Sequence, residues 1–155
     1  MPRSIALVAA LALAAVAVPP AAARGVGAAE PPDPRIVDGS AQRELGAARA
    51  RWRVAGPASY ALRVRRICFC VPEARRPAWI LVVAGRPHRA PEHLREAATV
   101  PRLHRLVQNA ISARVAGLEV RYDARGVPRA LVVDRSRAIA DEEVGYRVEG
   151  LRALR

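Results

Sequence analysis

Apolar positions recur along this chain with two different periods. Leu103, Leu106, Val107, Ala110 and Ile111 follow the i, i+3, i+4, i+7, i+8 spacing of a buried helical stripe. Pro101 sits in the first turn, where its missing N–H costs little, and Gly117 follows the end. Ala41, Leu45, Ala48 and Trp52 form an earlier stripe of the same kind. Asp38 or Ser40 is positioned to cap that helix, and Gly56-Pro57 to end it. Elsewhere the period is two. Tyr60, Leu62 and Val64 alternate with Ala61, Arg63 and Arg65, which predicts a strand over Ser59–Cys70. Leu118, Val120 and Tyr122 alternate with Glu119, Arg121 and Asp123 in the same way. Asp123 to Pro128 reads as a hairpin connection, Ala130 to Asp134 as its return, and Val144, Tyr146 and Val148 as one face of a last strand. Trp79 to Ala84 is a continuous apolar run closed by Gly85, which predicts a buried central strand. A short edge strand is expected near His88.

The order is helix, two or three strands, helix, three strands, as in a degenerate repeat of one unit. Strands joined by short turns imply antiparallel pairing. The predicted fold is α+β: a two-layer sandwich, mainly antiparallel, with two amphipathic helices on one sheet face.

Hydropathy also divides the chain at its start. Arg3 precedes an unbroken apolar run from Ile5 to Val18, then Pro19-Pro20 and small residues up to Ala23. This is the pattern of a secretory signal peptide over 1–23, too short for an ordinary membrane-spanning helix of about 20 apolar residues. Residues 24–35 hold three Pro and two Gly and read as a disordered linker. Residues 36–155 are expected to form one extracytoplasmic domain, with no transmembrane span after cleavage. The leader has no Cys for lipid attachment and no paired Arg for a folded-export route.

Composition then changes the picture in one respect. Lys is absent, so all 26 basic residues are Arg, and the formal net charge is +12. Arg, Ala, Gly and Pro have GC-rich codons, so part of this excess follows from coding bias. The charge favours anionic contacts without specifying a fold. In an exported protein it points to lipid head groups or cell-wall polymer, and not to nucleic acid. Arg49, Arg51, Arg53, Arg63, Arg65 and Arg66 are the candidate contacts for an anionic partner, as a basic sheet surface near Trp52 or as a solvated stripe.

Little else carries chemistry. Cys68 and Cys70 are the only cysteines. On an extended strand both sulfurs would join the face of Tyr60, Leu62 and Val64, and a bridge between them would need a local bend. They are either a structural bridge, two buried thiols, or a redox pair favoured by Arg65 and Arg66. With His88, His93 and His104 they supply enough ligands for zinc or copper, but in no familiar spacing, and solvent-facing histidines are the plainer reading. Asp123, Asp134 and Asp141 to Glu143 match no calcium loop. No metal and no cofactor is therefore expected. The HExxH, GxSxG, phosphate-loop and dinucleotide patterns are missing.

A run of motifs does carry a resemblance. It comprises Trp52, Tyr60, Arg66-Ile67-Cys68-Phe69-Cys70, Val82-Val83-Ala84-Gly85 and Thr99-Val100-Pro101-Arg102-Leu103. It continues with Val120-Arg121-Tyr122-Asp123, Gly126-Val127-Pro128, Asp134 and Asp141-Glu142-Glu143-Val144-Gly145-Tyr146-Arg147-Val148. In that order they resemble a group of small bacterial secreted or lipoprotein domains of unknown function, over roughly Trp52 to Leu151. Many of those domains carry a lipid-anchor Cys, which this leader lacks. The resemblance implies export and the domain boundaries, and no activity.

The expected function is an exported, non-catalytic envelope domain binding a protein partner or ligand. The alternatives are a thiol–disulfide factor using Cys68 and Cys70, or an electrostatic binder of anionic lipid or wall polymer.

Overall fold

The computed structural model describes residues 30–139 and 141–154, so the leader and most of the linker lie outside the described residues. The elements are α1 (Pro34–Val37), α2 (Ser40–Ala55), β1 (Tyr60–Ile67), β2 (Ala78–Val83), β3 (Arg86–His88), α3 (Val100–Ser112), β4 (Gly117–Tyr122), β5 (Pro128–Asp134) and β6 (Val144–Ala153). Short 3-10 turns occupy Pro72–Arg75 and Glu92–Ala97. The strands form one open antiparallel sheet in the order β3-β2-β1-β6-β5-β4, with helices on one face. A helix followed by three strands thus occurs twice along the chain, and the two sets meet where β1 pairs with β6.

The core lies between that face and the helices. Leu45, Leu62, Val64, Ile80, Val82, Leu94, Leu103, Val107 and Leu131 are all buried. Burial of each such side chain contributes about 1.5–3 kcal/mol. Thr99 caps α3 by accepting from the Arg102 N–H at 3.2 Å, and the Tyr60 hydroxyl accepts from the Val100 N–H at 3.1 Å. These two bonds satisfy orphan donors of the first helical turn. Trp52 meets Tyr60 edge-on with centroids 5.5 Å apart, tying α2 to the first strand.

The fold reaches further toward the N-terminus than the linker reading allows. Asp33 is buried, and its carboxylate accepts from the Arg35 N–H at 2.8 Å and the Leu118 N–H at 2.9 Å. Asp33 also donates its own N–H to the Val115 carbonyl at 2.9 Å. One local bond and two bonds to the segment 115–118 fix this stretch despite its prolines. Gly39, with φ +75, occupies the cap position of α2. Asp38 accepts instead from the Ser40 N–H at 2.7 Å, which holds its carboxyl below the ordinary range.

Two more expectations change. The apolar run from Trp79 is not buried on both sides: Ile80 and Val82 face the helices, while Trp79, Leu81 and Val83 are 45%, 43% and 40% exposed. Nothing among the described residues covers the second face of the sheet, so hydrophobicity alone did not indicate burial there. His104 is buried, not solvent-facing, with Nε2 2.8 Å from the Gly126 carbonyl. Burial pushes its pKa down, so the ring is neutral at neutral pH. Gly126 is itself required. Its φ is +84, and an added Cβ would lie 2.0 Å from the Ala48 carbonyl oxygen of α2.

Candidate functional site

A groove of about 880 Å³ opens between α3, the 3-10 turn Glu92–Ala97 and the neighbouring ends of β1, β5 and β6. That volume lies within the range of small-molecule sites. Leu106 and Ala110 of α3 line one wall, and Leu131, Val133 and Val144 the opposite one. Tyr146 and Arg66 stand opposite each other in the β1–β6 register and bring a phenol and a guanidinium into the same space. Burial raises the Tyr146 pKa, against the pull of Arg66, so the hydroxyl keeps its proton at neutral pH. The Arg66 Nε is buried without a hydrogen-bond partner among the described residues. Leaving a charged donor unpaired is costly, and an acceptor from outside the chain would relieve it. Arg102, Arg105 and Arg135 add positive charge to the lining, and Glu92, Glu96 and Glu142 negative charge. Arg95 is partly committed, since it pairs with Glu92, and Arg102 donates to the Arg95 carbonyl at 2.7 Å.

The opposite side of the sheet is a different surface. Arg63 and Arg65 project there from β1 and share one carboxylate, with Nε atoms 3.2 and 3.3 Å from the two Glu149 oxygens. Glu149 is available because β6 carries one extra residue at a register shift beside Arg63 and Val64. Trp79 lies across the same surface. Its ring would stand 2.9 Å from a Cβ at Gly150, and Arg152 stacks over it at 4.9 Å.

Residues 44–153 match a protein family described as a family of unknown function, DUF6174. The chain belongs to that family. No curated protein and no solved structure matches it. The DUF6174 match spans α2 after its first turn and every strand, so both the groove and the uncovered face belong to the family's domain.

Within this DUF6174 domain the six candidate arginines do not form one surface. Arg49 lies against α3, donating to Gln108 Oε1 at 3.1 Å and to the His104 carbonyl at 3.4 Å. Arg51 and Arg53 are exposed on α2. Arg63 and Arg65 occupy the uncovered sheet face, and Arg66 the groove on the other side. Trp52 packs on the helix side, so the aromatic beside the basic sheet surface is Trp79. Strand parity carried this division, because Arg66 shares its even register with Tyr60, Leu62 and Val64.

Cys68 and Cys70 are joined, with Cα atoms 5.3 Å apart. The strand ends at Ile67, so the bend that the bridge needs follows directly, and the expected alignment with the Tyr60 face does not extend to these residues. Among the described residues no cluster of His, Cys, Asp and Glu is placed to hold a metal. His88 is exposed, and His93 Nε2 lies 3.3 Å from the Arg76 carbonyl. Asp123 is a turn residue, accepting from the Arg125 and Val127 N–H groups at 2.9 Å each. Sequence reasoning missed Tyr146, Arg102 and Arg105. Arg102, Leu106, Asn109 and Ala113 form a second helical stripe beside the buried one, and that stripe faces the groove.

Proposed function

We propose that this DUF6174 chain is an exported, non-catalytic binding domain whose site is the groove beneath α3. The ligand has an apolar body and one anionic group, a carboxylate or a phosphate. The observation that carries this reading is Arg66, with a buried and unpartnered Nε beside the Tyr146 phenol, in a cleft that joins apolar walls to a rim of charged side chains. A half-buried guanidinium with one N–H shielded from water binds an oxyanion more strongly than a fully solvated one does, because water competes less at that donor. The leader-like first 23 residues support export, and the missing enzyme motifs support binding without turnover.

Dodecanoate and dodecanol share a chain and differ in the head group. Titrating both into the full chain, followed by calorimetry, separates the roles of the cleft and the arginine. The acid is expected to bind and the alcohol to bind at least about tenfold more weakly, the difference a charge-assisted hydrogen bond supplies. Arg66→Ala should erase that preference, whereas Cys68→Ser with Cys70→Ser should keep it. Equal binding of acid and alcohol, or a preference unchanged by Arg66→Ala, overturns the assignment.

A further inference from the structure

The sheet face turned away from the helices combines two properties that a freely soluble surface has no need to combine. Trp79, Leu81 and Val83 form an apolar strip along β2, each at least 40% exposed. The same face carries Arg63 and Arg65 of β1, Arg86 of β3, Arg147 and Arg152 of β6 and, at the far edge of the sheet, Arg121 of β4. The acids on the same face are Glu119, Glu149 and, at one end, Asp134. Arginine outnumbers acid, and one acid is already shared between Arg63 and Arg65.

One pairing is informative. Arg65 and Arg147 lie directly opposite each other across the two central strands. Like charges in that position destabilise a sheet. An anionic partner spread over the face would turn this cost into an attraction.

We infer that this face docks on an anionic phospholipid bilayer, independently of the groove. Charge complementarity selects an anionic partner, and the apolar strip selects among anionic partners. A wall polymer would neutralise the arginines and leave Trp79, Leu81 and Val83 in water. A bilayer takes both, with phosphates against the guanidinium groups and the strip in the interfacial region. Trp79, 45% exposed, is the residue suited to that depth. Its ring reaches over Gly150 with the Arg152 guanidinium stacked on it, and tryptophan favours the zone between head groups and acyl chains.

The test uses the full chain, so that any contribution of the first residues is the same in every variant. Trp52→Phe leaves Trp79 as the single tryptophan, since the chain has two. Vesicles of phosphatidylglycerol should shift the Trp79 emission to the blue, and vesicles of phosphatidylcholine should not. Binding should weaken steeply between low and physiological salt. In the otherwise unaltered chain, Arg147→Thr should lower partitioning onto phosphatidylglycerol about fivefold, the loss of one interfacial basic residue. The same substitution should leave the free protein as stable or more so, which separates lost attraction from lost folding. An unmoved Trp79 emission, an equal shift on phosphatidylcholine, or undiminished sedimentation of Arg147→Thr overturns the proposal. So does a shift that soluble polyphosphate reproduces, which would assign the face to a polyanion without acyl chains.

Discussion

The two faces of the sheet are built from equally apolar sequence in β2, yet only one of them is interior. Ile80 and Val82 are fully buried, whereas Leu81, between them, is 43% exposed. The difference comes from coverage. α2, α3 and the turn before α3 are laid over one side, and the other side has no second layer among the described residues. Apolar side chains on the covered side therefore stabilise the fold. Those on the uncovered side keep much of their surface exposed, and they stand on the face that also carries Arg63, Arg65 and Arg147.

The sharpest way to break this comparison is to truncate neighbours. Ile80→Ala should lower unfolding stability by about 2–5 kcal/mol, the cost of a cavity in a packed core. Leu81→Ala should change it by about 1 kcal/mol or less, as for a surface position. Urea midpoints of the two variants decide the matter, and similar losses would mean that both faces are covered in solution.

A smaller effect concerns pH. His104 lies on the covered side, and burial depresses its pKa from the ordinary 6.5. The unfolded chain therefore takes up a proton before the folded one does. Stability held above about pH 6.5 should fall as the pH drops below it, until the folded ring also protonates. His104→Gln should flatten that slope in denaturation series between pH 7.5 and 5, while His88→Gln, on the exposed edge strand, should leave it unchanged. An unaltered slope in His104→Gln would place the acid sensitivity elsewhere.

The smallest effect tests how well the covered side is satisfied. The Tyr122 hydroxyl is buried without a partner, and burial pushes its pKa up to about 12. Tyr122→Phe removes an unmet donor, so stability should stay the same or rise by about 1 kcal/mol. A clear loss in thermal or urea unfolding would reveal a partner for that hydroxyl.

How far the sequence could be read follows from the same contrast. α3 was legible almost residue by residue, because Pro101 marks its start and its stripe meets a core on one side only. Strand parity located Arg63 and Arg65 correctly. The face of Leu81 was not legible, since a run of alternating burial and a run of double burial look identical when every residue is apolar. The groove was hidden for another reason. Arg66, Leu106, Leu131 and Tyr146 come from four elements far apart in the chain, and no local pattern records that they meet. Asp33 was misplaced because proline-rich composition suggests a linker, while a single buried carboxylate was enough to dock it.

The pairing of β1 with β6 has a consequence for synthesis. The middle of the sheet joins the first strand to the last, with Tyr60 beside Ala153. While the ribosome is still making the C-terminal residues, β1 has one bare edge and the half-finished sheet has no centre. Closing so long a loop is a late event in any case. Until β6 has been made, the two halves of the sheet therefore have no strand to join them, and a chain cut short before Val144 would leave the β1 edge open.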